Sequence, residues 1–299
     1  MFYLPSLQGL AVGVTSLTTS SADKAIFGYG FTTVSVSISN LVSNLGVVAA
    51  DTTGVGTARR ALAAASYGGD KAIFGYGSSD ISVSTTNLVS NQGVVAADTT
   101  GVGTARQFLA AAGYGGDKAI FAYGIGHSIS NLVSNLGVVA TDTTGVGTAR
   151  GYLAAAGYGG DKAIFGYGLT DVVVSMTNLV SNQGVVAADT TGVGTARYIL
   201  ASAGYGGDKA IFGYGLTTGD VSMTNLVSNV GVVATDTTGV GTARAGLAAA
   251  GYGGDKAIFG YGIGHSMTNL VSNLGVVATD TTGVGTARYY LAAAGYGNP

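Results

Sequence analysis

Two histidines are the natural candidates for proton transfer, and each precedes a serine, as His127-Ser128 and His265-Ser266. A serine nucleophile also needs its base held by a third group, and neither pair has a positioned one. The aspartates form two sets of six. One is Asp23, Asp70, Asp117, Asp161, Asp208 and Asp255; the other is Asp51, Asp98, Asp142, Asp189, Asp236 and Asp280. A ring of carboxylates could hold Ca²⁺, which takes several oxygen ligands. In the second set, however, each Asp stands eight residues before an Arg across a Gly-rich stretch (Asp51 with Arg59, Asp98 with Arg106), which reads as a structural ion pair holding a turn. Glycosidase chemistry needs two carboxylates in unlike environments, and equal copies offer equal ones. The GVGTAR segment lacks the Gly-Lys-Ser/Thr of a phosphate loop and opens no helix. The chain has no Cys and only two His, so a copper centre built from both is excluded. These residues predict no enzyme, no cofactor and no metal.

Nearly the whole chain around these side chains consists of one repeated unit. Copies of DKAIFGYG…DTTGVGTAR…AAAGYGG begin at the first set of aspartates, with steps of 47, 47, 44, 47 and 47 residues, and the sixth ends at Asn298. A fixed period of this size belongs to solenoids, propellers or arrays. Copies three and six share a shortened AYGIGHS or GYGIGHS segment, so the chain also repeats at 138 residues, as a triplet that doubled would.

Only 9% of residues are charged, and the net charge is −2. No clustered Lys and Arg are available to neutralise phosphates, which argues against a nucleic-acid partner. Without Cys there is no disulfide framework and the redox compartment is open. Residues 1–22 lie outside the repeat; they lack the basic start of a signal peptide, and their apolar run is too short to insert in a membrane. They are expected to add a strand or to act as an attachment arm.

Each copy reads as four short antiparallel strands and no helix. In the second copy these are Phe108–Tyr114, the KAIFG run, Thr86–Ser90 and Val94–Ala97, with an Asn-X-Gly turn at Asn91–Gly93. The order "Arg, two variable residues, small apolar strand, Gly turn, apolar strand, GYG" resembles the kelch-type repeat over residues 23–298, with GYG where that family has Gly-Gly and without its later Trp. That resemblance implies an all-β, six-bladed kelch-like β-propeller in residues 23–299, one domain, closed by pairing of N- and C-terminal strands. In that arrangement Tyr289–Gly295 lies beside Lys24–Gly28, removing free sheet edges. An open stack of units is the competing arrangement. The near-identical copies also look like repeat proteins of marine and cyanobacterial phages, which are tail or fibre components.

Two stretches vary between copies. One is the pair after the repeat Arg: Arg60-Ala61, Gln107-Phe108, Gly151-Tyr152, Tyr198-Ile199, Ala245-Gly246 and Tyr289-Tyr290. The other is the segment after GYG, beginning at Phe31, Ser78, Ile125, Leu169, Leu216 and Ile263. Antiparallel neighbours joined by a tight turn bring both to one face. A rigid scaffold with one varied face has the layout of a binding module, although relaxed drift in exposed loops would produce the same map. The abundance of Tyr favours binding, because aromatic side chains supply contact area at low entropic cost. The expected ligand-binding residues are Arg60, Gln107, Phe108, Tyr152, Tyr198, Ile199, Tyr289, Tyr290, His127 and His265. The expected function is a non-enzymatic recognition module of a virion or other extracellular assembly. Residues 1–22 would join other virion or filament proteins, and the varied face would meet a host-surface glycan or protein. The alternative is an internal scaffold whose constant turns make the contacts.

Overall fold

The computed structural model describes residues 22–297; the expectations for residues 1–21 lie outside them. Among the described residues the chain is all-β, with eighteen strands and no helix. The strands form six three-stranded antiparallel sheets. The first contains β1 (Lys24–Phe31) and β2 (Ser35–Val42); the second is β3 (Ala63–Tyr67), β4 (Lys71–Gly75) and β5 (Thr86–Val89). The same three-strand order recurs from β6 (Ala110–Tyr114), β9 (Ala154–Tyr158), β12 (Ala201–Tyr205) and β15 (Ala248–Tyr252). The last strand, β18 (Ala292–Tyr296), has no partner after it in sequence and pairs with β1, in register from Lys24↔Tyr296 to Gly28↔Ala292. The first and last described strands thus share a sheet. Each inner strand also touches that of the next sheet, from β3 through β6, β9, β12, β15 and β18 back to β3. The arrangement is consistent with a six-bladed propeller.

The core lies between neighbouring sheets, as six similar clusters. Small residues in the inner strands let six strands crowd together. The apolar KAIFG strands, continuous rather than alternating, are covered on both faces, and Ile73 and Phe74 are completely buried. Neighbouring sheets meet through edge-on aromatic pairs such as Tyr29 with Phe74, 5.2 Å between ring centres.

Two boundaries differ from the sequence reading. The inner strand of the third sheet begins at Ala110, because Phe108 has φ +55 and cannot continue a strand. The expected fourth strand, Val94–Ala97, is reduced to the isolated bridges Val89↔Val95 and Thr86↔Thr99. There the Ala96 carbonyl accepts from the Asn87 side-chain amide at 3.0 Å, which displaces regular ladder bonding.

Candidate functional site

Before any surface can be varied, something must hold it, and six buried arginines do so. Arg59 has no exposed side-chain surface, yet every part of its guanidinium is matched. Nε donates to the Tyr76 carbonyl at 2.9 Å, Nη2 to Asn87 Oδ1 at 2.6 Å and Nη1 to the Thr57 carbonyl at 3.3 Å. Asn87 in turn donates to Asp98 Oδ1 at 2.9 Å, while the Thr57 amide and hydroxyl donate to Asp98 Oδ2. The guanidinium lies over the Tyr29 ring of the preceding sheet, 4.4 Å from its centre. One side chain therefore ties the start of a sheet to its outer edge and packs on its neighbour. The equivalents are Arg106, Arg150, Arg197, Arg244 and Arg288.

The ion pairs fall differently from the sequence expectation. Asp98 pairs with Arg59 at 3.7 Å, not with Arg106, and Asp51 pairs with Arg288 at 3.8 Å, not with Arg59. The Gly-rich link crosses between sheets, so each Arg meets the second-set Asp of the following copy, and the last Arg that of the first copy. At Arg288 this joins residues from opposite ends of the chain, with Nη2 donating to Asn40 at 2.7 Å. Burial acts to raise the Asp51 carboxyl, but hydrogen bonds from Thr286 and Asn40 and the charge of Arg288 outweigh it and leave it below its ordinary value. Five of the first aspartate set pair with the Lys that follows, as Asp70 with Lys71 at 2.8 Å.

Both varied stretches lie together. In four copies the bridges Arg60↔Ser78, Gly151↔Leu169, Tyr198↔Leu216 and Phe31↔Tyr289 join the residue after the buried Arg to the segment after GYG, and in the other two the amides of Ile125 and Ile263 donate to the carbonyls of Gln107 and Ala245. The second residue of each varied pair forms a closed ring around the axis. The amide of Phe108 donates to the carbonyl of Ala61, Tyr152 to Phe108, Ile199 to Tyr152, Gly246 to Ile199, Tyr290 to Gly246 and Ala61 to Tyr290, at 2.8 to 3.0 Å. All six have positive φ, from +52 at Tyr290 to +70 at Gly246. This is glycine's region of backbone space, and a β-branched residue such as Ile199 is strained there. Beneath the ring, Leu62, Leu109, Leu153, Leu200, Leu247 and Leu291 border a cavity of about 70 Å³.

Three aromatic side chains of this ring and three from the residues beside it form a continuous path. Arg60 lies 4.5 Å over Phe31 and its Nη1 donates to Ser35 at 3.3 Å. From Phe31 the ring-centre distances are 5.5 Å to Tyr289, 4.8 Å onward to Tyr290, 5.0 Å to Phe108, 3.9 Å to Tyr152 and 5.9 Å to Tyr198. All are half-buried. Of the expected binding residues, the structure brings these together with Arg60 and places Ile199 in the backbone ring. Gln107 stands at the edge, its carbonyl accepting from the Ile125 amide at 3.2 Å. His127 and His265 sit in short turns three sheets apart and do not converge. Burial, with smaller contributions from Tyr152, Tyr289 and Tyr198, raises the Tyr290 hydroxyl above its ordinary value.

The opposite face carries the constant turns. At its axis a funnel of about 220 Å³ is lined by residues including Tyr67, Tyr114, Tyr158 and Lys162. Ala22, the first described residue, stands in its wall. Around it, the outer turns expose apolar pairs such as Leu45 with Val47 and Leu136 with Val138; Leu136 is 78% exposed.

The sequence reading missed the buried asparagines (Asn40, Asn87, Asn131, Asn178, Asn225 and Asn269) and the GYG tyrosines that carry the arginines. Their signal was their identity in every copy, which the chain itself displays. No family model matches this chain, and no curated protein matches it.

Proposed function

We propose that this chain is a six-bladed, kelch-like β-propeller that acts as a non-enzymatic recognition module, with the varied face as its binding surface. The setting that suits it best is an appendage of a virion or comparable extracellular assembly, where residues 1–22 attach it and the varied face meets a host-surface glycan or protein. One observation carries this reading. At six backbone positions where glycine is the least strained residue, the chain keeps Ala61, Phe108, Tyr152, Ile199 and Tyr290, and glycine only at Gly246. The positive-φ position of the outer turn on the constant face is glycine in every copy, as Gly46, Gly93, Gly137, Gly184, Gly231 and Gly275. Positive φ is also kept at the GYG tyrosines, which are buried against the arginines; the bulky ring side chains Phe108, Tyr152, Ile199 and Tyr290 are half-buried and differ between copies, so the strain kept there points to use at the surface.

The test is adsorption to a panel of bacterial cells, comparing the intact protein with Phe108→Ala, Tyr152→Ala and Tyr290→Ala. Adsorption lost in these variants, with thermal stability kept, supports the reading; adsorption equal to the parent's overturns it. The exposed apolar pairs of the constant turns favour a second reading, an internal scaffold that assembles through that face. On that reading Leu136→Ser with Leu274→Ser abolishes assembly and the aromatic variants leave it intact.

A further inference from the structure

We infer that the aromatic path from Phe31 to Tyr198 is a platform for a linear, uncharged oligosaccharide, with successive sugar rings lying along Tyr289, Tyr290, Phe108 and Tyr152. The inference rests on the recognition reading above and names its ligand. Three features select a sugar chain. First, the rings are contiguous at 3.9 to 5.9 Å, comparable to the length of one pyranose, so each sugar meets its own ring. Second, most neighbouring rings are turned steeply to one another, so the path alternates ring faces, negatively polarised and suited to pyranose C–H groups, with ring edges and Tyr hydroxyls suited to sugar hydroxyls. Third, the axial backbone amides and carbonyls are consumed by one another in the closed hydrogen-bonded ring. An extended peptide, which binds by adding main-chain hydrogen bonds, finds no free partners at the centre of this face.

Charge agrees with an uncharged ligand. The one cation on the path, Arg60, is stacked on Phe31 and bonded to Ser35, and no carboxylate belongs to the path. The path is also unequal around the axis. Ala245 and Gly246 present no large side chain, so the platform is one-sided and a bound chain follows the arc from Phe31 to Tyr198.

The experiment titrates the intact protein with neutral linear oligosaccharides of glucose, mannose and N-acetylglucosamine, two to seven units long, read by calorimetry and by Tyr fluorescence, which no Trp obscures. The expected result is binding to at least one series, with affinity rising with length to a plateau. Tyr152→Ala and Tyr290→Ala each weaken it at least tenfold, and Tyr290→Phe retains most of it. The constant-face variant Leu136→Ser leaves it unchanged. Absence of binding in all three series overturns the inference, as does binding insensitive to both Ala variants or capture of unstructured peptides in preference to sugars. If adsorption to cells depends on the path but no sugar binds, the recognition reading stands and the sugar assignment falls. If adsorption is indifferent to the path, the recognition reading itself falls. Should Tyr152→Ala fail to fold, Tyr198→Ala at the end of the path supplies the same comparison.

Discussion

Arg197 shows how one residue governs the frame that holds the varied face. Its guanidinium is buried and bonded to the Tyr214 carbonyl and to Asn225, with Asp236 3.7 Å away. Replacing it with Met leaves Asn225 and Asp236 without their partner, and a loss of about 3–5 kcal/mol is expected in urea unfolding. Lys cannot restore the forked geometry, so Arg197→Lys stays well below the parent. The opposite outcome is expected at Ser202, whose hydroxyl is the buried side-chain polar atom without a partner among the described residues. Its counterparts in the other copies are alanines, and Ser202→Ala is expected to stabilise by about 1 kcal/mol by the same measurement. Titration follows from the same frame. Burial acts to raise Asp236, but hydrogen bonds from Thr195 and Asn225 and the charge of Arg197 leave it below its ordinary value. Such a group contributes stability above its unfolded value that is lost as pH falls through the folded one, so the midpoint in urea drops below about pH 4. Burial, against the charge of Arg244, pushes Tyr214 up from 10.0 to about 12. Its contribution is complete below pH 10 and disappears toward about 12, and alkaline unfolding coincident with tyrosinate absorbance checks it.

At the scale of elements, inner strand, Gly turn, apolar strand and GYG were legible because each has a period or a breaker of its own. The expected outer strand was not, because its pattern of Val and Ala is right for a strand while the Asn87 side chain takes the hydrogen bond a ladder would have used. The partner of each Asp was likewise invisible. Spacing along the chain favours the nearer Arg, and only the crossing of the link between sheets assigns the other one. The varied pairs were legible as variable, but not as strained, since φ leaves no mark on composition. The outer turns carry their own prediction. Gly137 has φ +79, and a Cβ there would stand 2.9 Å from the Tyr67 ring of the neighbouring sheet. Gly137→Ala is expected to cost about 1–3 kcal/mol, from backbone strain and overpacking together, as a lowered urea midpoint.

For the molecule as a whole, every level depends on the chain meeting itself. The β18–β1 register, the Arg288 bonds to Asn40 and Tyr29, and the axial ring passing through Tyr290 and Ala61 are three separate closures made by different atoms. The aromatic path crosses the axial one, because Tyr290 belongs to the sheet that both ends build. The most direct test is a circular permutant. It starts at Asp70, joins Tyr296 to Asp23 through the Gly-Gly turn found at Gly68 and Gly69, and omits the residues before Asp23. First and last strands that already pair predict a folded monomer whose urea midpoint and slope match those of the parent lacking the same residues. A permutant that unfolds without denaturant, or that folds only as a multimer, would contradict the closed arrangement and with it the single varied face.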